Sequence, residues 1–118
     1  MPLSVEIASE LADWPDVDFV LAASSEPSVY DREQLDRLLI GWYDVGVHGG
    51  YGPSDNPNGK GVLHNMTEPS YSDDEDGFRI TWRTDMGSAP DRALDVLIRA
   101  LEGWSEYARL SAARLMVR

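Results

Sequence analysis

The sequence predicts an α+β domain: a mostly antiparallel sheet of about four or five strands with two or three helices packed on it. Phe78–Thr84 alternates apolar and polar side chains, the pattern of a half-buried antiparallel strand. Leu94, Leu97, Ile98, Leu101 and Trp104 recur at helical spacing. Taken along the chain, the segments read α–β–α–β–β–β–α–β. A mostly antiparallel sheet with helices on one side satisfies that order.

Leu3, Ile7, Leu11 and Trp14 fall on one helical face, with Ser4 as cap and Pro15 as terminator. The expectation is a first helix; a short strand through Leu3, Val5 and Ile7 is the alternative. Val17–Ala23 is a compact apolar run between a proline turn and a serine-rich loop, suited to a strand buried on both sides. Asp31–Gln34 matches a capping pattern, and Leu35, Leu38, Leu39 and Trp42 follow at helical spacing. This second helix is expected to begin at Asp31 or Arg32 and fade near Gly41. Tyr43, Val45 and Val47 then alternate with polar or small residues and read as a strand, unless the helix runs on to Val45.

Gly49–Gly61 is a loop longer than most in a compact domain, and such loops are functional or mobile. Val62–Thr67 and Phe78–Thr84 read as two strands of a hairpin spanning Asn65–Gly87. Pro69 marks a bulge or an end of pairing, since it cannot donate to a ladder. Ser88 is the expected N-cap of the last helix, with Pro90 in its first turn and Asp91 at the capping-box position. Ala113, Leu115 and Val117 alternate as a final strand.

The 118 residues suffice for one domain, 1–118, with a single core. Cysteine is absent, which excludes disulfides and thiolate metal sites. The N-terminal MPLSVEIASELADW lacks a basic signal-peptide region, and no apolar segment approaches a membrane span. A cytoplasmic location is the expectation. The formal charge is −11, from 21 acids against 10 Lys plus Arg. That repels nucleic acid and anionic lipid and attracts basic proteins. Residues 1–60 hold eleven acids and three bases, and residues 61–118 hold ten and seven. The second half is near neutral only because its arginines offset the run Asp73, Asp74, Glu75 and Asp76.

That acidic run fails as a calcium loop. Aligned on Gly77, the essential last ligand is Arg83. Gly59–Lys60–Gly61 fails as a phosphate loop, because Ser54 stands where glycine is needed and Gly61 where a hydroxyl is needed. His48 and His64 belong to no metal-binding pattern, and no nucleophile motif is present. No cofactor and no metal are expected. Trp42, Trp82 and Trp104 lie on apolar faces and suit the core. Tyr43, Tyr51 and Tyr71 lie near loops or strand ends, and exposed tyrosine beside acids suits a protein-binding patch.

In size, in charge and in the run Asp73–Asp76, the chain resembles bacterial toxin-immunity proteins, including those of contact-dependent growth inhibition systems. The resemblance implies a small cytosolic protein that neutralises a basic, nuclease-like toxin domain by protein contact. The resemblance carries over no residue; the acids and the tyrosines near them themselves give the expected partner-binding residues, Asp73, Asp74, Glu75, Asp76 and Tyr71, with Tyr51 and Asp55 from the glycine-rich loop. The alternative is a small enzyme or ligand-binding domain in which the Gly49–Gly61 loop covers His48. Strands at either edge of the sheet could also pair with a second copy of the chain, against charge repulsion.

Overall fold

A computed structural model describes residues 3–7, 16–54, 59–74 and 77–118. The fold is α+β, a mixed six-stranded sheet with two helices. In chain order the elements are β1 (Ser4–Ile7), β2 (Asp16–Ala23), α1 (Val29–Val47), β3 (Asn65–Met66), β4 (Ser70–Asp74), β5 (Gly77–Asp85), α2 (Asp91–Tyr107) and β6 (Arg114–Val117). Across the sheet the order is β1-β6-β2-β5-β3, and β4 pairs with β5 too. Only β1 and β6 run parallel.

The long β2–β5 ladder sits near the middle. Val17, Phe19, Leu21 and Ala23 stand directly opposite Thr84, Trp82, Ile80 and Phe78. All eight are buried, and Phe19 stacks on Trp82 at 5.2 Å between ring centroids. Leu115 and Val117 of β6 extend this face. Leu35, Leu39 and Trp42 of α1, with Leu97, Leu101 and Trp104 of α2, close over it in one core. The opposite face of the sheet is open and exposes Arg79, Thr81, Arg83, Arg114 and Arg118.

Residues Ser4–Ile7 form a strand, not the expected first helix; Leu11 and Trp14 lie outside the described residues. The reason is β6, which β2 covers on one side only. Pairing Ser4–Ile7 with Arg114–Val117 satisfies the backbone groups of its other edge. The second helix also differs. It begins two residues earlier, at Val29, with the Ser28 hydroxyl accepting from the Asp31 N–H at 3.1 Å. It continues to Val47, so Tyr43–Val47 is helix and not a strand. Leu35, Leu39, Trp42 and Gly46 keep the helical period, with Gly46 as a position whose side chain is missing. Leu63 fills that gap: a Cβ on Gly46 would lie 2.3 Å from Leu63 Cδ1. Burial of Trp42 and this contact outweigh the weak helix propensity of Gly41 and Gly46.

The expected strand at Val62–Thr67 is regular only at Asn65–Met66, and β4 resumes the edge at Ser70. Between them Thr67, Glu68 and Pro69 stand opposite only Trp82 and Arg83. This is the bulge that Pro69 predicted. At the far end Gly77 adopts φ 129°, and a Cβ there would lie 2.3 Å from the Ala23 carbonyl oxygen. Ser88 does not cap α2. Pro90 occupies the cap position, where it offers no side-chain cap bond. The Ser88 hydroxyl instead accepts from the N–H groups of Lys60 and Gly61, at 3.1 and 3.0 Å. Gly61 is buried and its N–H needs a partner, and this long-range demand outweighs the local cap. Among the described residues no helix is long and apolar enough to cross a membrane.

Two substitutions test this packing by chemical denaturation. Gly46→Ala drives a methyl into the buried Leu63 and is expected to destabilise the protein by about 1–3 kcal/mol, despite the better helix propensity of alanine. Thr84 is fully buried, and its hydroxyl has no hydrogen-bond partner among the described residues. Thr84→Val removes an unmet polar group and is expected to stabilise by about 1 kcal/mol. A loss of stability there would show that the hydroxyl is satisfied in solution.

Candidate functional site

The bulge creates a groove. Thr67 still donates to the Arg83 carbonyl at 2.9 Å, so the chain leaves the ladder at Glu68 and Pro69, and a half-open space of about 410 Å³ opens between α1 and the β3–β4 edge. Leu39, Ile40 and Tyr43 form its helical wall, and Met66, Pro69 and Tyr71 form the strand wall. Asp36 and Glu68 stand at its rim. Leu39 is part of the core, whereas Ile40 is 63% exposed, a large side chain without cover among the described residues. The Tyr43 hydroxyl donates to the His64 carbonyl at 2.8 Å and so ties α1 to the segment entering β3.

Tyr71 joins the groove to the core. Its ring lies against Phe78, with centroids 5.9 Å apart, and the Arg32 guanidinium sits over both rings. Its hydroxyl donates to the Asp36 carboxylate at 2.8 Å. Burial, with the Asp36 carboxylate as a second cause, pushes the Tyr71 pKa well above that of an ordinary phenol. The phenol therefore stays protonated and holds Asp36 in place at the rim. Arg32 also pairs with Glu26. Along β4 the strand period puts Asp73 on the same side of the sheet as Tyr71, opposite Phe78, and Asp73 is exposed. Apolar walls beneath carboxylates are suited to a lysine or arginine, whose aliphatic stem can lie in the groove while its charge meets the rim.

The expected partner-binding residues separate in the structure. Tyr71 and Asp73 share the groove side of β4. Asp74 closes the strand opposite Gly77. Glu75, Asp76 and Asp55 lie outside the described residues. Tyr51 is not at the surface: it is 8% exposed, and its hydroxyl donates to the Trp42 carbonyl at 2.8 Å. The glycine-rich loop carries this tyrosine inward as an anchor against Trp42. The sequence points to Tyr43 as a tyrosine near a loop, but not to the groove residues Asp36, Ile40, Met66 and Glu68. One signal was available, since Ile40 is a large apolar residue beyond the Leu35–Leu39–Trp42 stripe.

His48 caps the end of α1 and is exposed, with Nδ1 2.8 Å from the Asp44 carbonyl oxygen. The loop beside it is tied down: Gly50 N–H donates to Val45, Tyr51 enters the core, and Ser88 holds Lys60 and Gly61. His64 lies 3.7 Å from the Asp85 carboxylate. Among the described residues no three His, Asp or Glu side chains converge as a metal-ligand set.

Four of the seven arginines that offset the acidic run, Arg79, Arg83, Arg114 and Arg118, lie on the other side of the sheet. Arg79 and Arg114 flank the small Ala22 on its open face. Arg83 grips Asp18 through two bonds of 2.8 and 3.1 Å, and its guanidinium holds the Asp18 carboxyl below the usual range. The groove and the arginine-bearing face lie on the two sides of the sheet and meet at the bulge, where Thr67 and Glu68 border both. Comparison with protein-family models, curated proteins and solved structures found no match.

Burial raises the Tyr51 pKa from 10.0 to about 12. A phenol whose pKa is higher folded than unfolded stabilises the fold fully below about pH 10, and this contribution is lost as pH rises through about 12. Tyr51→Phe is expected to lower stability by about 1 kcal/mol at neutral pH through the lost hydrogen bond. The gap from wild type should close between those two pH values. Alkaline denaturation curves check this; a gap independent of pH would place the phenol in water.

Proposed function

We propose that the protein binds a basic protein partner, in the manner of an immunity protein that neutralises a nuclease-like toxin domain, and that the α1–β4 groove is the contact. The observation that carries this reading is the groove itself: an apolar trough at exposed Ile40, with Asp36 and Glu68 at its rim and Asp73 further along the strand. A basic side chain docking there gains apolar contact and charge pairing together. The acidity of the chain as a whole steers such a partner to it. The arginines on the far sheet face favour approach from the groove side.

The test is calorimetric titration of the protein with the basic C-terminal domain of whichever large secreted protein the neighbouring gene encodes, at low and high salt; a neighbourhood without one counts against the proposal. Binding is expected to weaken as salt rises. Glu68→Gln with Asp73→Asn should slow association and flatten that salt dependence. Ile40→Arg places a like charge in the trough and is expected to cost at least ~2 kcal/mol of binding, with folding intact because the position is exposed. Absence of binding, or unchanged affinity in both variants, would remove the proposal.

A further inference from the structure

The outer surface of the helical layer is a second unpaired apolar region. Among the described residues seven large hydrophobic side chains are exposed, and six of them are on α1 or α2. Ile40 belongs to the groove. Tyr30 and Tyr107 border a valley between the helices, floored by Leu38, Ala100, Gly103 and Trp104. Val45 and Val96 continue the same stripe by helical period. Two glycines interrupt it. Gly41 and Gly103 lie inside helices, where glycine is a poorer helix former than alanine. A Cβ at either would meet nothing within 4 Å. No contact within the described monomer accounts for the missing side chains.

We propose that this surface is the interface of a two-fold dimer of the chain. Two indoles set the helices antiparallel: Trp104 donates to the Asp31 carbonyl at 2.8 Å, and Trp42 to the Ala93 carbonyl at 2.9 Å. Asp31 is therefore level with Trp104, and Trp42 with Ala93. A two-fold axis crossing α2 between Arg99 and Ala100 lays this helix antiparallel on its copy. Val96 then faces Gly103 of the second copy, and Gly103 faces Val96. By the levels that the indoles set, the same axis crosses α1 between Leu35 and Asp36. It places Tyr30 against Gly41 of the second copy. One register thus fills both glycine gaps with side chains that protrude from the monomer.

The charges fit the same axis. Arg92 comes opposite Tyr107 and Glu106, and Arg37 comes beside Glu33, each pair occurring twice. Arg99, next to the axis, has Asp95 and Glu102 one helical turn away. A mixed-sign surface that matches itself is what an isologous contact requires. The Ile40 groove lies on the other flank of α1 and remains open in this arrangement. The formal charge of −11 on each copy opposes association, and salt screens that repulsion. The dimer therefore tightens as salt rises, the reverse of the behaviour proposed for a basic partner.

Sedimentation velocity of the whole chain over a concentration series, at low salt and at about 0.5 M salt, tests this. The expected result is a monomer–dimer equilibrium that shifts towards dimer at high salt. Gly103→Gln and Gly41→Gln fill the gaps with a good helix former. Each should raise the melting temperature and abolish the dimer at concentrations where the wild type is dimeric. Because the chain has no cysteine, Arg99→Cys supplies a single thiol beside the axis, and oxidation should link it to its copy. A Ser72→Cys control on the open sheet face should not cross-link. A wild type that stays monomeric throughout would overturn the proposal, as would a dimer that survives both glutamine substitutions.

Discussion

The register of β2 against β5 is the constraint on which the rest of the structure depends. Period-2 alternation gives each strand one apolar face, and a slip of one residue would turn that face to solvent. The observed pairing sets Phe19 on Trp82 and Leu21 opposite Ile80, so both apolar faces coincide. Once they do, the sheet has a dry side that both helices must cover. It also has a wet side, where Arg83 pairs with Asp18 across the same ladder. β6 joins the dry side through Leu115 and Val117, and β1 follows by completing its edge.

Above the sheet, tryptophan acts as both packing and tether. The Trp42 and Trp104 rings fill the core, while their indole N–H groups bond to carbonyls of the opposite helix. A buried indole donor without a partner would be costly, so these two bonds fix the relative level of the helices. The glycine-rich segment is drawn into the same network. Tyr51 reaches the Trp42 carbonyl, Leu63 occupies the gap at Gly46, and Ser88 collects backbone donors from Lys60 and Gly61. Its many glycines serve close approach as well as turning.

The groove is a by-product of one edge. A proline that cannot donate to the ladder forces three residues to span the place of two, and the displaced chain leaves room beside α1. Tyr71 limits that room from below by bonding to Asp36. The proposed partner contact and the proposed dimer lie on opposite flanks of α1. This accounts for a helix that carries exposed apolar side chains, Tyr30, Ile40 and Val45, away from its buried stripe.

Much of the core was legible from local pattern. The α+β class, β2, β5, β6, α2 and the break at Pro69 follow from alternation, helical period and proline chemistry, which act over a few residues. Ser88 was legible as a residue that accepts from backbone N–H groups but not as to whose, because the donors lie nearly thirty residues away. Tyr51 reads as a loop tyrosine until Trp42 offers its carbonyl. Tyr43–Val47 alternates like a strand, yet burial of Trp42 and the fit of Leu63 on Gly46 extend the helix through it. Ser4–Ile7 is ambiguous alone and is decided by the free edge of β6. By itself the sequence determined which faces are apolar, where the chain must turn, and that the net charge is strongly negative. Only the tertiary structure decided which polar groups meet, which strand takes an open edge, and where the bulge leaves a groove. Those depend on contacts between residues far apart in the chain, which no local period encodes.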